Sequence, residues 1–215
     1  MKLSVNQRLM AVVLGGVAAL LITGLIGFFS SQKVTEELKY TDANIIRSLA
    51  ILSSAERDFL LIRVNALYHL SYIERSKKAP HEETIRHNIV EIQKRLAEYE
   101  KSLIVSERDR EYLRNDQQLF AIYLQALEKV LQYSNDNDRE AAVVVIESEW
   151  KPAGDRLTAA FAEHSHFKER LVDQIVQQSL DTGQRNSWLL LLVMILGVLF
   201  VVGVGYVLRK SLSEK

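Results

Sequence analysis

Two stretches of this chain carry no Lys, Arg, Asp or Glu: Leu9 to Gln32 and Asn186 to Leu208. Each is longer than the about 20 apolar residues that a helix, rising about 1.5 Å per residue, needs to cross about 30 Å of hydrocarbon. Between them the pattern changes to a seven-residue repeat. Leu38, Ile45, Leu52, Phe59, Ala66 and Ile73 fall on one row, and Phe120, Tyr123, Leu124, Leu127, Val130 and Leu131 form a similar face further on. Such a period puts one apolar seam on each of several long helices.

Turn signals are few. Seven of the 9 glycines lie in the uncharged runs, and only Pro80 and Pro152 occur anywhere. A sheet domain would draw on many more Gly, Pro and Asn turns. Breaks are expected at Lys77–His81, near Val105–Ser106 and at Ser134–Asp138. They predict helices over about 33–78, 83–104, 107–133 and 139–187. Short connections between long helices imply an all-α fold, an antiparallel four-helix bundle flanked by two transmembrane helices. The implied organisation is 1–8, span 9–32, bundle 33–187, span 188–208 and tail 209–215. The first and last bundle helices both run into a span. Both must return to one membrane plane, which explains their similar predicted lengths. Counted from that plane, Arg63 falls level with about residue 157, Tyr68 with 152 and Tyr72 with 148.

Charge sets the orientation. Lys2 and Arg8 precede the first span and Arg209, Lys210 and Lys215 follow the second, whereas only Lys33 and Arg185 lie close on the other side. Basic residues resist translocation, so both termini are expected in the cytoplasm and the bundle outside it. Trp188 and Tyr206 suit interfacial anchoring against membrane lipid. The first run is too long for a signal-peptide core, and Phe28 and Phe29 spoil a small-x-small cleavage site, so an uncleaved anchor is expected. The segment between the spans carries four more acidic than basic residues. The absence of cysteine excludes disulfides, thiol nucleophiles and Cys-based metal sites.

No Walker loop, GxSxG, GxGxxG or paired-carboxylate signature occurs, so no enzymatic activity, cofactor or nucleic-acid partner is expected. His164 and His166 are two apart on a helix and point to different faces, so no metal site is expected. The candidate site centres on Arg63, which shares a row with Leu49 and Leu70 beside the seam. A half-buried guanidinium needs an anionic partner. Glu56 or an acid on another helix could supply it, and so could the carboxylate of a bound ligand. Opposite lies Trp150-Lys151-Pro152-Ala153-Gly154-Asp155-Arg156, from which Trp150 and Arg156 are further candidates. Pro152 either frees the Ser148 carbonyl inside a bent helix or opens the fourth helix afresh. Tyr68 and Tyr72, on one face at i, i+4, are read either as core or subunit-interface residues or as ligand contacts.

Leu61-Ile62-Arg63-Val64-Asn65, the stretch Asp136-Asn137-Asp138-Arg139-Glu140-Ala141-Ala142 and Trp150-Lys151-Pro152 resemble the sensing half of bacterial methyl-accepting chemotaxis receptors, over essentially the whole chain. In the enteric aspartate and serine receptors an Arg in a similar Arg-x-Asn setting contacts the ligand carboxylate across a homodimer interface, and Arg63 matches it. Those receptors add arginines five and nine residues later and a Thr after the proline; here Tyr68, Tyr72 and Ala153 stand instead. The resemblance implies a two-pass homodimer of the bacterial inner membrane. Its sensor domain lies in the periplasm and binds a small organic, aromatic or amino acid. Histidine kinases and cyclic-di-nucleotide enzymes share this input module. The tail from Arg209 resembles the opening of a HAMP linker short of its usual proline. Either the chain is a piece of a longer receptor, or it is a short protein that ends there.

Overall fold

The structure, a computed structural model, describes residues 5–213. Lys2 and Lys215, counted among the flanking charges, lie outside them. The described residues form six α-helices: α1 (Val5–Tyr40), α2 (Arg47–Ser71), α3 (Arg75–Ser102), α4 (Glu107–Asn135), α5 (Arg139–Val145) and α6 (Lys151–Ser213). Two π-helical turns, Thr41–Ile46 and Ile146–Trp150, continue α1 into α2 and α5 into α6. No strand occurs among the described residues.

The chain divides into two compact units, one of them Tyr40–Asp173. This unit is the antiparallel bundle: α2, α3, α4, and α5 with the first turns of α6. Heptad spacing builds its core. Ile45 of the preceding π turn and Leu52, Phe59 and Ala66 of α2 alternate with Ser48, Ala55, Ile62 and His69, and all eight are buried. On α4 the same seam runs through Leu113, Phe120, Tyr123, Leu127 and Val130. Each large apolar side chain removed from water contributes about 1.5–3 kcal/mol. The row predicted from Leu38 to Ile73 is shorter at both ends, because Leu38 is 65% and Ile73 79% exposed.

The first break is misplaced in the sequence reading. Helix α2 ends at Ser71, Tyr72 and Glu74 take extended backbone, and α3 begins at Arg75. Pro80 therefore sits inside α3 and stops nothing. Its missing amide would have bonded the Ser76 carbonyl, and Ser76 is exposed, so that carbonyl is open to solvent. Starting the helix early carries Lys78 into the core. Its ammonium donates to the Ser134 carbonyl and, at 2.8 Å, to Asn137 Oδ1, capping the C-terminus of α4. The other two breaks fall as expected. Ser106 caps α4 by accepting from the Asp109 amide, and Asp138 caps α5 by accepting from that of Ala141. Between α4 and α5, Asn137 takes φ 55°, a left-handed position that Asn tolerates.

The second unit pairs the chain up to Lys39 with the chain from Gln174 on. Two helices are long and apolar enough to cross a membrane. Within this unit Asn186 Nδ2 donates to Ser30 Oγ at 2.9 Å, and Ser179 donates to Glu37. A side chain on Gly15 would meet the Phe200 ring at 2.4 Å and would have to push that ring aside. Trp188 and Tyr206 are exposed.

Candidate functional site

Arg63 leaves α2 beside the seam and lies over the Phe59 ring, with its guanidinium carbon 5.8 Å from the centroid. Its side chain is 28% exposed. Its carboxylate partner is neither Glu56 nor any residue of its own helix but Asp155 on α6, at a long 3.4 Å. Asp155 is shared, since Lys151 holds it at 3.0 Å. Lys151 first and Arg63 second push the Asp155 carboxyl below its ordinary range. Gly154 lies directly under this group: a Cβ there would make ordinary van der Waals contact, 3.5 Å from both Arg63 Cζ and Tyr123 Cε2.

Behind the guanidinium, Tyr123 packs edge-on against Phe59 at 4.8 Å and tilts against Trp150 at 5.9 Å. Tyr123 Oη and Trp150 Nε1 are both buried and lie next to each other, Trp150 being the side-chain donor beside the tyrosine oxygen although the contact falls short of good hydrogen-bond geometry. Buried polar atoms are nearly always paired, so a poorly paired donor and acceptor beside a weakly held Arg are unusual. The local backbone explains their position. The helical run passes through Pro152 without a break, so the proline lies inside a helix, the first of the two sequence readings, rather than opening a new one. The π turn Ile146–Trp150 takes up the irregularity, with the Lys151 amide bonding five residues back to the Ile146 carbonyl. It delivers Trp150 into the core and Gly154 against Arg63. Single π turns of this kind recur at functional sites.

Of the sequence candidates, Arg63 and Trp150 thus share Tyr123 as a neighbour. Tyr68 and Tyr72 lie elsewhere. Both stack on His81 of α3, at 5.2 and 5.7 Å between centroids, and His81 Nδ1 is 2.8 Å from Asn65 Oδ1. Arg156 is exposed, one position off the buried face of Ala153, Gly154 and Leu157. Tyr123 and Asp155 were not singled out from the sequence. Tyr123 was visible as a polar-tipped residue on the seam, whereas Asp155 gave no signal.

A second polar group was missed altogether. Tyr99 of α3, Asp109 and Asp116 of α4, and His164 and Lys168 of α6 are all fully buried and mutually bonded. Asp109 accepts from Tyr99 at 2.7 Å, His164 at 2.9 Å, Lys168 at 2.6 Å and the Val105 amide at 2.9 Å. Burial alone would raise its pKa, but the bonds from His164, Lys168, Val105 and Tyr99 outweigh it and hold the carboxyl at about 2. Burial likewise opposes charge on His164, yet contacts with Asp109 and Asp116 prevail and push it up. Burial raises Asp116 and lowers Lys168. The signal was present in the sequence. Asp109 and Asp116 continue the α4 seam in steps of seven, and His164 and Lys168 continue the row of Leu157 and Phe161.

No curated protein and no solved structure matches the chain. The model of one family, described as a four helix bundle sensory module for signal transduction, matches residues 2–182. The bundle of four antiparallel helices, the two helices apolar enough to span a membrane and this match agree: the chain belongs to the four-helix-bundle sensory modules of signal transduction.

Proposed function

We propose that the chain is the sensory and membrane portion of a methyl-accepting chemotaxis receptor. It works as a homodimer in the bacterial inner membrane, with residues 33–187 in the periplasm, and it binds a small organic, aromatic or amino acid at Arg63. The observation that carries the reading is the state of Arg63. A mostly covered guanidinium has only a 3.4 Å contact to a carboxylate that Lys151 already holds more closely. A ligand carboxylate offering two parallel hydrogen bonds would replace Asp155 with better geometry. The neighbouring Phe59, Tyr123 and Trp150 rings favour an aromatic or apolar body, and the Tyr123 O–H, for which no acceptor is present among the described residues, adds a donor for a second oxygen.

Exchange of Asp155 for the ligand changes what α2 and α6 share. A shift of α6 by about 1–2 Å against α2 follows the known repertoire of helix switches, provided the ligand favours one arrangement. Exposed Leu60, Val64, Leu67 and Tyr68 form one stripe on α2, and a second copy of the chain is the proposed cover. The test is calorimetry on the full chain in lipid nanodiscs against organic, aromatic and amino acids. A hit whose affinity is unchanged in Arg63→Ala refutes the site.

A second reading is favoured by exposed Ile73, Val143 and Val144 near the α2–α3 and α4–α5 turns. Here those turns dock a partner protein, the ligand screen stays empty, and charge reversal at the turns abolishes signalling. Which output the module feeds, chemotaxis or a histidine kinase, is read from the coding sequence downstream.

A further inference from the structure

The polar core around His164 takes no part in the events at Arg63. Its hydrogen bonds assign every proton but one. Lys168 and the Val105 amide hold Asp109 as a carboxylate through Oδ2, so the ring nitrogen facing Asp109 Oδ1, Nε2 at 2.9 Å, must be a donor. Tyr99 spends its hydroxyl proton on the same Oδ1, at 2.7 Å, and its oxygen is left to accept from the same Nε2–H at 2.9 Å. The other ring nitrogen, Nδ1, lies 2.6 Å from Asp116 Oδ2. With Nε2 protonated, a neutral ring presents a lone pair at Nδ1, and a lone pair facing a carboxylate oxygen at that distance is repulsive. The contact therefore requires one more proton, carried by the ring or by Asp116. Asp116 Oδ1 has no hydrogen-bond partner, so nothing else stabilises the bare anion.

We propose that the contact between His164 Nδ1 and Asp116 Oδ2 is a proton-binding site through which the module senses pH. The inference does not depend on a ligand at Arg63. With the proton in place the charges of Asp109, Asp116, His164 and Lys168 cancel. Without it, one net negative charge is buried where the effective dielectric is low. From α3 comes Tyr99, and from α4 the Tyr112 ring, stacked on His164 at 5.5 Å. Arg108 of α4 also comes near, its guanidinium carbon 5.9 Å from the centroid of the Tyr112 ring. From α2, Ser48 lies beside Tyr99 and donates to the Ile45 carbonyl, and α6 itself contributes Lys168. Release of the proton to solvent sets α6 against α4 across the 2.6 Å contact, and the relief available is separation of those two helices. Protonation draws α6 back. The paired carboxylates hold the proton more tightly than free imidazole does, so the transition falls above the ordinary value of about 6.5.

The chain has no cysteine, so labels can be placed at will. Spin labels at exposed Gln118→Cys on α4 and Glu163→Cys on α6, in the full chain in nanodiscs, report the separation by pulsed electron resonance. From about pH 6 to about pH 9.5 the distance is expected to change by about 1–2 Å, in step with the His164 Nδ1 resonance followed by nitrogen NMR. His164→Gln abolishes the change. Asp116→Asn, whose amide can donate to a neutral Nδ1, lowers the midpoint by more than about one unit. The proposal is overturned if Nδ1 titrates in the unmutated protein without a change in distance. It is equally overturned if both variants keep the distance change at its original midpoint. The comparison of resonance and distance needs no variant, so it decides the matter even where a substitution impairs folding.

Discussion

Asp109→Asn is the most exacting test of the buried network. The substitution conserves shape and removes one charge. The carboxylate takes four hydrogen bonds, two at each oxygen, and an amide can keep only the two at its remaining oxygen. Its NH2 group then points either at Tyr99 and His164 or at Lys168 and the Val105 amide, donor against donor. Leaving one member of a buried ion pair without its partner costs about 3–5 kcal/mol, and each further orphaned donor about 1–3. One relief exists: burial already lowers the Lys168 pKa, so without Asp109 the amine sheds its proton more readily. We therefore expect a loss of about 3–5 kcal/mol near neutral pH. For a domain of this size that is about 6–20 °C in melting temperature. Thermal melts of the full chain in detergent micelles, followed by circular dichroism, measure it. Lys168→Met added to Asp109→Asn should recover at least about 2 kcal/mol, because the uncompensated charge is gone. A single-variant loss below about 1 kcal/mol, or no recovery in the pair, would mean that water reaches the network and that the burial argument is wrong.

Three further outcomes follow from the same geometry. Asp155→Ala removes the competitor for Arg63 and should tighten binding of a carboxylate ligand by up to about fivefold in calorimetry, the scale of a partly exposed ion pair; weaker binding would make Asp155 a ligand contact instead. Gly154→Ala places its Cβ in ordinary van der Waals contact and gains helix propensity, so it should raise stability by about 0.5–1 kcal/mol in the same melts, whereas Gly154→Leu should displace Arg63 and lower ligand affinity. Stability should also depend on pH on two sides. His164 and Asp116 hold protons more tightly when folded, so the stability they confer is full in acid and lost as pH climbs through their raised values. Asp109, held at about 2 against an ordinary 3.8, confers stability that is full above 3.8 and lost as pH falls towards 2. Melts across the pH range should fall at both ends, and His164→Gln should flatten the alkaline limb.

The seven-residue rows of α2 and α4 made the bundle legible, because burial of one seam per helix is a collective signal that survives local errors. Break positions were less legible where the punctuating residue misled. Pro80 reads as a stop, yet a proline one turn into an exposed helix start loses only the amide partner of a carbonyl that water can satisfy. The residues at Arg63 were partly visible. Its position beside the seam announced a partly covered charge, but Asp155 is one of 27 acidic residues with no local mark. Tyr68 and Tyr72 share a face as expected, but they stack on His81, a pairing across helices that periodicity cannot report. The network at His164 was missed because the apolar rows were followed only through apolar residues, although Asp109, Asp116, His164 and Lys168 continue them.

The π turn at Ile146–Trp150 has a further consequence for a helix as long as α6. A π turn stores one residue more than the surrounding α register requires. If that surplus residue is absorbed, everything beyond it advances by about 1.5 Å and rotates by about 100°, the increment of a single helical residue. The bundle thus carries, next to Gly154 and Arg63, a unit of slack whose release has a fixed length and a fixed angle. A module with such a step has two discrete registers to choose between, rather than a continuum of small bends.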